Sequence, residues 1–401
     1  MMLQNMTVSR SRTTEFDFLK GLLIILVISF HLVYIGDSYP YAKRVVYTFH
    51  MPAFLLMSGY LMNISKPWSR FGRTMLGYAV PYLVMEGAYV VMASLLPVRE
   101  HVDELTVSVF LDKLLLHPLG PYWYLQTLIL CGSAYAAVFR LVPMKTVSRL
   151  ILLVAVFQLL AVLGLMSFGC AVYFLLGAAI RQSGVRFGDV FRHSAVAVLP
   201  FALLAAQPRH LQMDTTGGML MVFLVMSWTF FVYRHIGKGL RRLLTFLGRH
   251  TMPLFLFSPV FTFPCRLLQP FLAFDSSGLA FWLVSLIICI AGSLAIDWLM
   301  SQTGASRYFY VRTQNGRGLH IAQPAQDVVE VGHDHEQDDD AEADVLGSDH
   351  ELLRRFAARD HLIEEEQHVA AVEGRDGQDV HEGQDDRQEG RHLPEAVPVP
   401  R

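Results

Sequence analysis

The chain has 401 residues, of which 53% are hydrophobic and only 17% are charged. This balance excludes an ordinary soluble domain, gives no reason to expect a nucleic-acid partner, and indicates a membrane protein with several spans. The formal net charge of −2 combines two parts of opposite sign: residues 1–312 carry 25 Lys and Arg against 12 Asp and Glu, whereas residues 313–401 carry 8 against 23.

We predict about ten membrane-spanning helices, because a span needs about 20 mostly apolar residues. With the N-terminus in the cytoplasm, the predicted inner loops and termini hold 18 Lys and Arg and the outer loops hold 6. This bias satisfies the positive-inside rule, so we expect an all-α, polytopic helical bundle with both termini in the cytoplasm. The predicted spans cover approximately residues 18–36, 46–63, 74–96, 122–140, 149–165, 167–181, 194–208, 217–234, 246–264 and 279–300.

The first predicted span contains titratable residues inside an apolar run. Lys20 and His31 are eleven residues apart, close to three helical turns, so they project from one face about 16 Å apart. Asp17 lies on nearly the same face, one turn before Lys20. Such groups are costly in a membrane and are usually functional. We therefore predict a site on this face, while a structural His31 and an interfacial anchoring role for Lys20 remain alternatives.

The next three predicted spans add further polar groups. Pro52 frees a backbone carbonyl, so His50 either satisfies that carbonyl or belongs to a site. Glu86 is unusual within a span. Trp123 and Tyr124 fit either an aromatic belt or a site. Ser58 also lies in the second span.

Several motifs occur in order along the chain: Lys20 and His31 with ten residues between them, Phe-His-Met-Pro (49–52), Ser-Gly-Tyr (58–60), Arg70 and Arg73 followed by Pro81-Tyr82, Trp-Tyr-Leu (123–125), Leu-Gly-Arg-His-Thr (247–251) and Ser-Arg-Tyr-Phe (306–309). Together they resemble the acyltransferase family 3 of integral membrane O-acyltransferases, and most closely its fucose and exopolysaccharide O-acetyltransferase branch. One departure is Lys20, because the family usually has arginine there, which can bind an anion through two hydrogen bonds. The resemblance covers about residues 12–312.

The resemblance implies an enzyme of the bacterial inner membrane that moves an acetyl group from acetyl-coenzyme A to a sugar hydroxyl of a surface or secreted glycan. Acyl transfer to an alcohol needs a base that takes the hydroxyl proton, and histidine suits this role near neutral pH. We predict His31 as that base, with Asp17 or Glu86 orienting it. Together with Lys20 these residues form the predicted catalytic set.

The predicted ligands follow from the same reading. Acetyl-coenzyme A is a co-substrate with several phosphates, which need cations on the cytoplasmic side. The acceptor is a glycan or lipid-linked sugar, membrane lipids surround the protein, and no metal is expected. Two alternatives remain open: succinyl in place of acetyl, and a secondary transporter or flippase that uses intramembrane His, Glu and Lys. The predicted donor-binding residues are Lys20, Arg70 and Arg73, and the predicted substrate-binding residues are His50, Ser58, Trp123 and Tyr124.

The acidic tail of residues 313–401 differs from the membrane acyltransferase domain predicted for residues 1–312. It contains no lysine and a single aromatic residue, Phe356. Such a composition cannot bury enough apolar surface to fold alone, so we predict disorder. The same composition resembles translation of GC-rich DNA in an unintended frame.

Overall fold

The computed structural model describes the backbone of residues 2–96 and 100–309, and the side chains of residues 14–96, 100–306 and 309. The described residues form helices and connecting loops without any strand, which confirms the predicted all-α fold class. The predicted disordered tail, residues 313–401, and its boundary at residue 312 lie outside the described residues.

The described part of the chain contains fifteen α-helices and three short 3₁₀ helices. The 3₁₀ helices are Pro208–His210, Pro264–Leu268 and Pro270–Leu272. The α-helices are α1 (Met2–His31), α2 (Val33–Ser38), α3 (Pro40–Leu61), α4 (Trp68–Leu95), α5 (Val107–Leu115), α6 (Trp123–Leu141), α7 (Thr146–Val162), α8 (Phe168–Gln182), α9 (Phe187–Val190), α10 (Val198–Ala205), α11 (Thr216–His235), α12 (Lys238–Arg249), α13 (Thr251–Thr262), α14 (Leu279–Gln302) and α15 (Ser306–Phe309).

Four of the described helices, α4, α6, α11 and α14, are long and apolar enough to cross a membrane by length and composition. Helices α7, α8 and α13 are apolar but shorter. Their composition confirms an all-helical membrane protein, whereas the count of ten spans stays a prediction. The seventh predicted span, residues 194–208, was too long: α10 has eight residues and is therefore only about 12 Å long.

Two predicted spans are each divided between two helices. The first span was expected to continue to residue 36, but α1 ends at His31 and Leu32 is extended (φ −68°, ψ 107°). At this end of α1 the Tyr47 hydroxyl donates to the Phe30 carbonyl at 3.3 Å, as helix ends require partners for their last carbonyls. The ninth span, 246–264, is divided at His250 (φ −105°, ψ 21°), where α12 ends and α13 begins.

Glycines allow two pairs of helices to approach at backbone distance. A Cβ atom at Gly21 would overlap the Leu244 carbonyl, and one at Gly248 would overlap the Asp17 carbonyl, so α1 and α12 cross at these glycines. Helices α3 and α8 cross in the same way at Gly59 and Gly177. Small residues serve this purpose in membrane proteins, where packing rather than hydrophobicity holds helices together. The first crossing brings the end of α12 to the charged part of α1.

Candidate functional site

A buried carboxylate joins α1 to α12. Asp17 Oδ1 lies 2.8 Å from Lys20 Nζ, and Asp17 Oδ2 lies 3.3 Å from Arg249 Nε. Asp17 and Lys20 are almost completely buried, whereas the Arg249 side chain remains 47% exposed. A buried charge must be paired, so Asp17 is held by both cations. These three residues form the Asp17 cluster, with a net charge of +1.

His31 lies at the C-terminal end of α1 and is half-buried. Its Nδ1 atom lies 2.6 Å from the Val27 carbonyl oxygen. Because a carbonyl only accepts, the imidazole donates from Nδ1, and Nε2 keeps the lone pair that takes a proton. A neutral ring in this arrangement therefore presents Nε2 as its proton acceptor.

Neither predicted orienting residue contacts His31. Asp17 precedes His31 by fourteen positions, about 21 Å along the helix, and is engaged in the Asp17 cluster. Glu86 is buried on α4 and accepts the Leu119 N–H at 2.6 Å. The Val27 carbonyl orients the ring instead, so that part of the prediction is corrected: Asp17 holds cations and Glu86 anchors the loop before α6.

A second histidine accompanies His31. The His50 ring centroid lies 5.0 Å from that of Tyr47, which lies 6.1 Å from that of His31. His50 is buried, and its Nδ1 donates to the Val46 carbonyl at 2.7 Å. In a regular helix Pro52 deprives the Thr48 carbonyl, four residues earlier, of a partner, so the suggestion that His50 satisfies that carbonyl is wrong. The structure brings His31 and His50 together around Tyr47.

Ser58 and Tyr124 meet between α3 and α6. Their hydroxyl oxygens are 2.9 Å apart. Ser58 lines a cleft with Lys66 and Thr74, which we call the Ser58 cleft. Tyr124 lines a separate cavity between α3, α6 and α13, which we call the Met252 cavity. The hydrogen bond thus lies between the two spaces.

The remaining predicted residues lie around these groups. Arg70 and Arg73 are exposed at the start of α4, which follows Lys66 closely in the chain. Trp123 is half-buried at the start of α6 and packs against the apolar core. Sequence reasoning missed the link between Arg249 and Asp17, although the motif at residues 247–251 contained the arginine.

A family model described as an acyltransferase domain matches residues 13–298. This range includes every residue of the sites described above. Two curated relatives, both named nodulation protein NolL, match shorter parts of the chain. The protein of Sinorhizobium fredii is 38% identical over 84 residues, which is 19% of this chain and 23% of the relative. The protein of Mesorhizobium japonicum is 46% identical over 63 residues, 14% of this chain and 17% of the relative.

The chain therefore spans less than a quarter of the length of these curated relatives. No solved structure matches it.

Proposed function

Because the chain belongs to the acyltransferase 3 family, whose acyltransferase domain covers residues 13–298, we propose that this membrane O-acyltransferase moves an acetyl group from acetyl-coenzyme A to a sugar hydroxyl. The acceptor is a surface or secreted glycan or its lipid-linked precursor. The observation that carries the proposal is the placement of His31 beside Tyr47 and buried His50, with its Nδ1 bonded to Val27 and its Nε2 left as a proton acceptor. A transporter is not proposed, because the family is one of acyltransferases.

The proposed reaction is direct transfer between the thioester and the alcohol. Nε2 of His31 takes the proton of the acceptor hydroxyl. At the same time the hydroxyl oxygen bonds to the carbonyl carbon of the thioester. The carbon–sulfur bond then breaks, and the sulfur of coenzyme A leaves and takes up the proton from Nε2. His50 lies beside this site and is proposed to contact the acceptor or the thioester.

The donor is proposed to enter from the cytoplasm, with the protein in a bacterial inner membrane and both termini inside. Exposed Arg70 and Arg73 at the start of α4 provide cations for the phosphates of coenzyme A. Lys20 contributes as part of the Asp17 cluster rather than as an isolated charge, because Asp17 lies 2.8 Å away. The Arg249 side chain is 47% exposed, and this residue is added to the proposed donor-binding set.

The test is transfer of labelled acetyl from acetyl-coenzyme A to glycan in membranes that contain the protein. We expect His31→Ala to lower the rate by about 10²-fold or more, the usual contribution of a general base. His235→Ala is the matched control, because His235 makes the same type of bond, from Nδ1 to the Phe231 carbonyl at 2.8 Å, on the exposed end of α11. Equal rates in the two variants at equal membrane levels would contradict the proposal.

A further inference from the structure

The Met252 cavity is small, partly open and lined by buried residues. It comprises about 270 Å³ of empty space, part of which is open to the outside of the protein. Helix α3 supplies one wall, α6 a second and α13 the third. The lining residues are Met51, Phe54, Tyr124, Thr251, Met252 and Phe255.

The surface of this cavity is apolar. None of its lining side chains is charged, and the two that carry a hydroxyl group use it elsewhere. The Tyr124 hydroxyl bonds to Ser58, and the Thr251 hydroxyl donates to the Gly248 carbonyl at 2.7 Å. A ligand in the cavity therefore finds dispersion contacts and no partner for a charge.

The residues that line the cavity are close along the chain to His50 and to Arg249. Phe54 follows His50 by one helical turn on the same face of α3, about 6 Å along the axis. Thr251 follows Arg249 of the Asp17 cluster by two residues. A thioester held at His50 therefore has its acyl group about one helical turn from Phe54 in the cavity wall.

We propose that the Met252 cavity receives the acyl group of the donor thioester and limits the enzyme to short, uncharged acyl groups. This inference rests on the proposed function and selects between the two donors that the sequence leaves as alternatives, acetyl- and succinyl-coenzyme A. The acetyl group fits the cavity, and the succinyl group does not. The carboxylate of succinyl would be buried without a partner. The free-energy cost of burying that charge is far larger than the stabilisation from the apolar contacts of its methylenes.

The side chains that close the cavity limit the length of the acyl chain it can hold. Met252 and Phe255 lie three residues apart on α13 and face Tyr124, whose ring centroid is 5.6 Å from that of Phe255. A longer acyl chain requires these side chains to move. One extra or missing methylene in such a pocket changes the rate by about 10- to 200-fold.

The experiment compares acetyl-, propionyl-, butyryl- and succinyl-coenzyme A as donors in membranes with wild-type protein, Met252→Ala or Met226→Ala. Met226 is a fully buried methionine of α11 that does not line the cavity, so it controls for loss of packing. We use the ratio of acetyl to butyryl transfer within one preparation, since this ratio is independent of the amount of folded enzyme. Met252→Val, a smaller change, replaces Met252→Ala if that variant is absent from membranes.

We expect the wild type to prefer acetyl over butyryl by about 10-fold or more, and Met252→Ala to lower that ratio by about 10-fold. Met226→Ala should keep the wild-type ratio, and succinyl should be a poor donor throughout. Equal ratios in Met252→Ala and Met226→Ala, or efficient succinyl transfer by the wild type, would overturn the acyl pocket while leaving the acyltransferase intact. A wild type that transfers none of the four acyl groups would overturn the proposed function as well.

Discussion

Asp17 is the residue on which the charge arrangement depends. It is fully buried, and it contacts Lys20 on its own helix and Arg249 on α12. If its charge were lost, two cations would remain together, and that of Lys20 would be buried without a counter-ion. Removing one partner of a buried pair is usually far more damaging than removing both.

This comparison gives a prediction for stability. Asp17→Asn should destabilise the protein by about 3 kcal/mol, because the buried Lys20 ammonium loses its carboxylate. The double variant Asp17→Asn with Lys20→Met should recover most of that loss, since it removes the stranded charge. Thermal unfolding of the detergent-solubilised variants measures both effects. A double variant that is less stable than Asp17→Asn alone would show that Lys20 is stabilised by other groups.

These residues show which features of the site the sequence could predict and which it could not. Lys20 and His31 belong to one helix, so the helical period alone placed them on one face. The Asp17–Arg249 contact joins positions 232 residues apart, and no local pattern encodes such a pairing. The orientation of His31 by Val27 was equally hidden, because every residue offers the same carbonyl.

At the scale of elements, the two glycine crossings determine how closely the helices pack. Gly248 and Gly59 belong to two of the motifs through which the chain resembles the acyltransferase family. Each also occupies a position where a Cβ atom would overlap a neighbouring backbone. The motif at residues 247–251 thus places Arg249 near Asp17 through its glycine. The break at Leu32 was not predicted, because apolar residues continue through that position. At His250 the polar run Arg249-His250-Thr251 does interrupt the apolar pattern, and the prediction of a single span did not use that signal.

Helix α12 offers an internal comparison for this packing. Gly248→Ala forces its new methyl into the Asp17 carbonyl and should cost about 1–3 kcal/mol or more. Gly239→Ala on the same helix meets open space, so it should be neutral or slightly stabilising through the higher helix propensity of alanine. The yield of monodisperse protein in detergent, measured by size-exclusion chromatography, distinguishes them. Equal losses for both substitutions would contradict close packing at Gly248.

At the scale of the whole molecule, opposite charge divides the chain into two parts. Residues 1–312 carry a net charge of +13 and residues 313–401 a net charge of −15. The family match ends at residue 298, and every residue assigned to the candidate site lies before that point. Acyl transfer should therefore depend on the first part alone.

Two truncations test this division. Deletion of residues 313–401 should leave acetyl transfer unchanged, because it removes none of the residues that form the site. Deletion of residues 305–401 should reduce the membrane level and the activity, because it also removes buried Ser306 and Phe309, whose ring stacks on Phe257 of α13 at a centroid distance of 6.1 Å. Helix α13 also carries Thr251, Met252 and Phe255, which line the Met252 cavity. Loss of that stacking should therefore disturb the helix that forms one wall of the cavity. If the shorter deletion abolished transfer at a normal membrane level, the acidic part would have a role in catalysis that its composition does not predict.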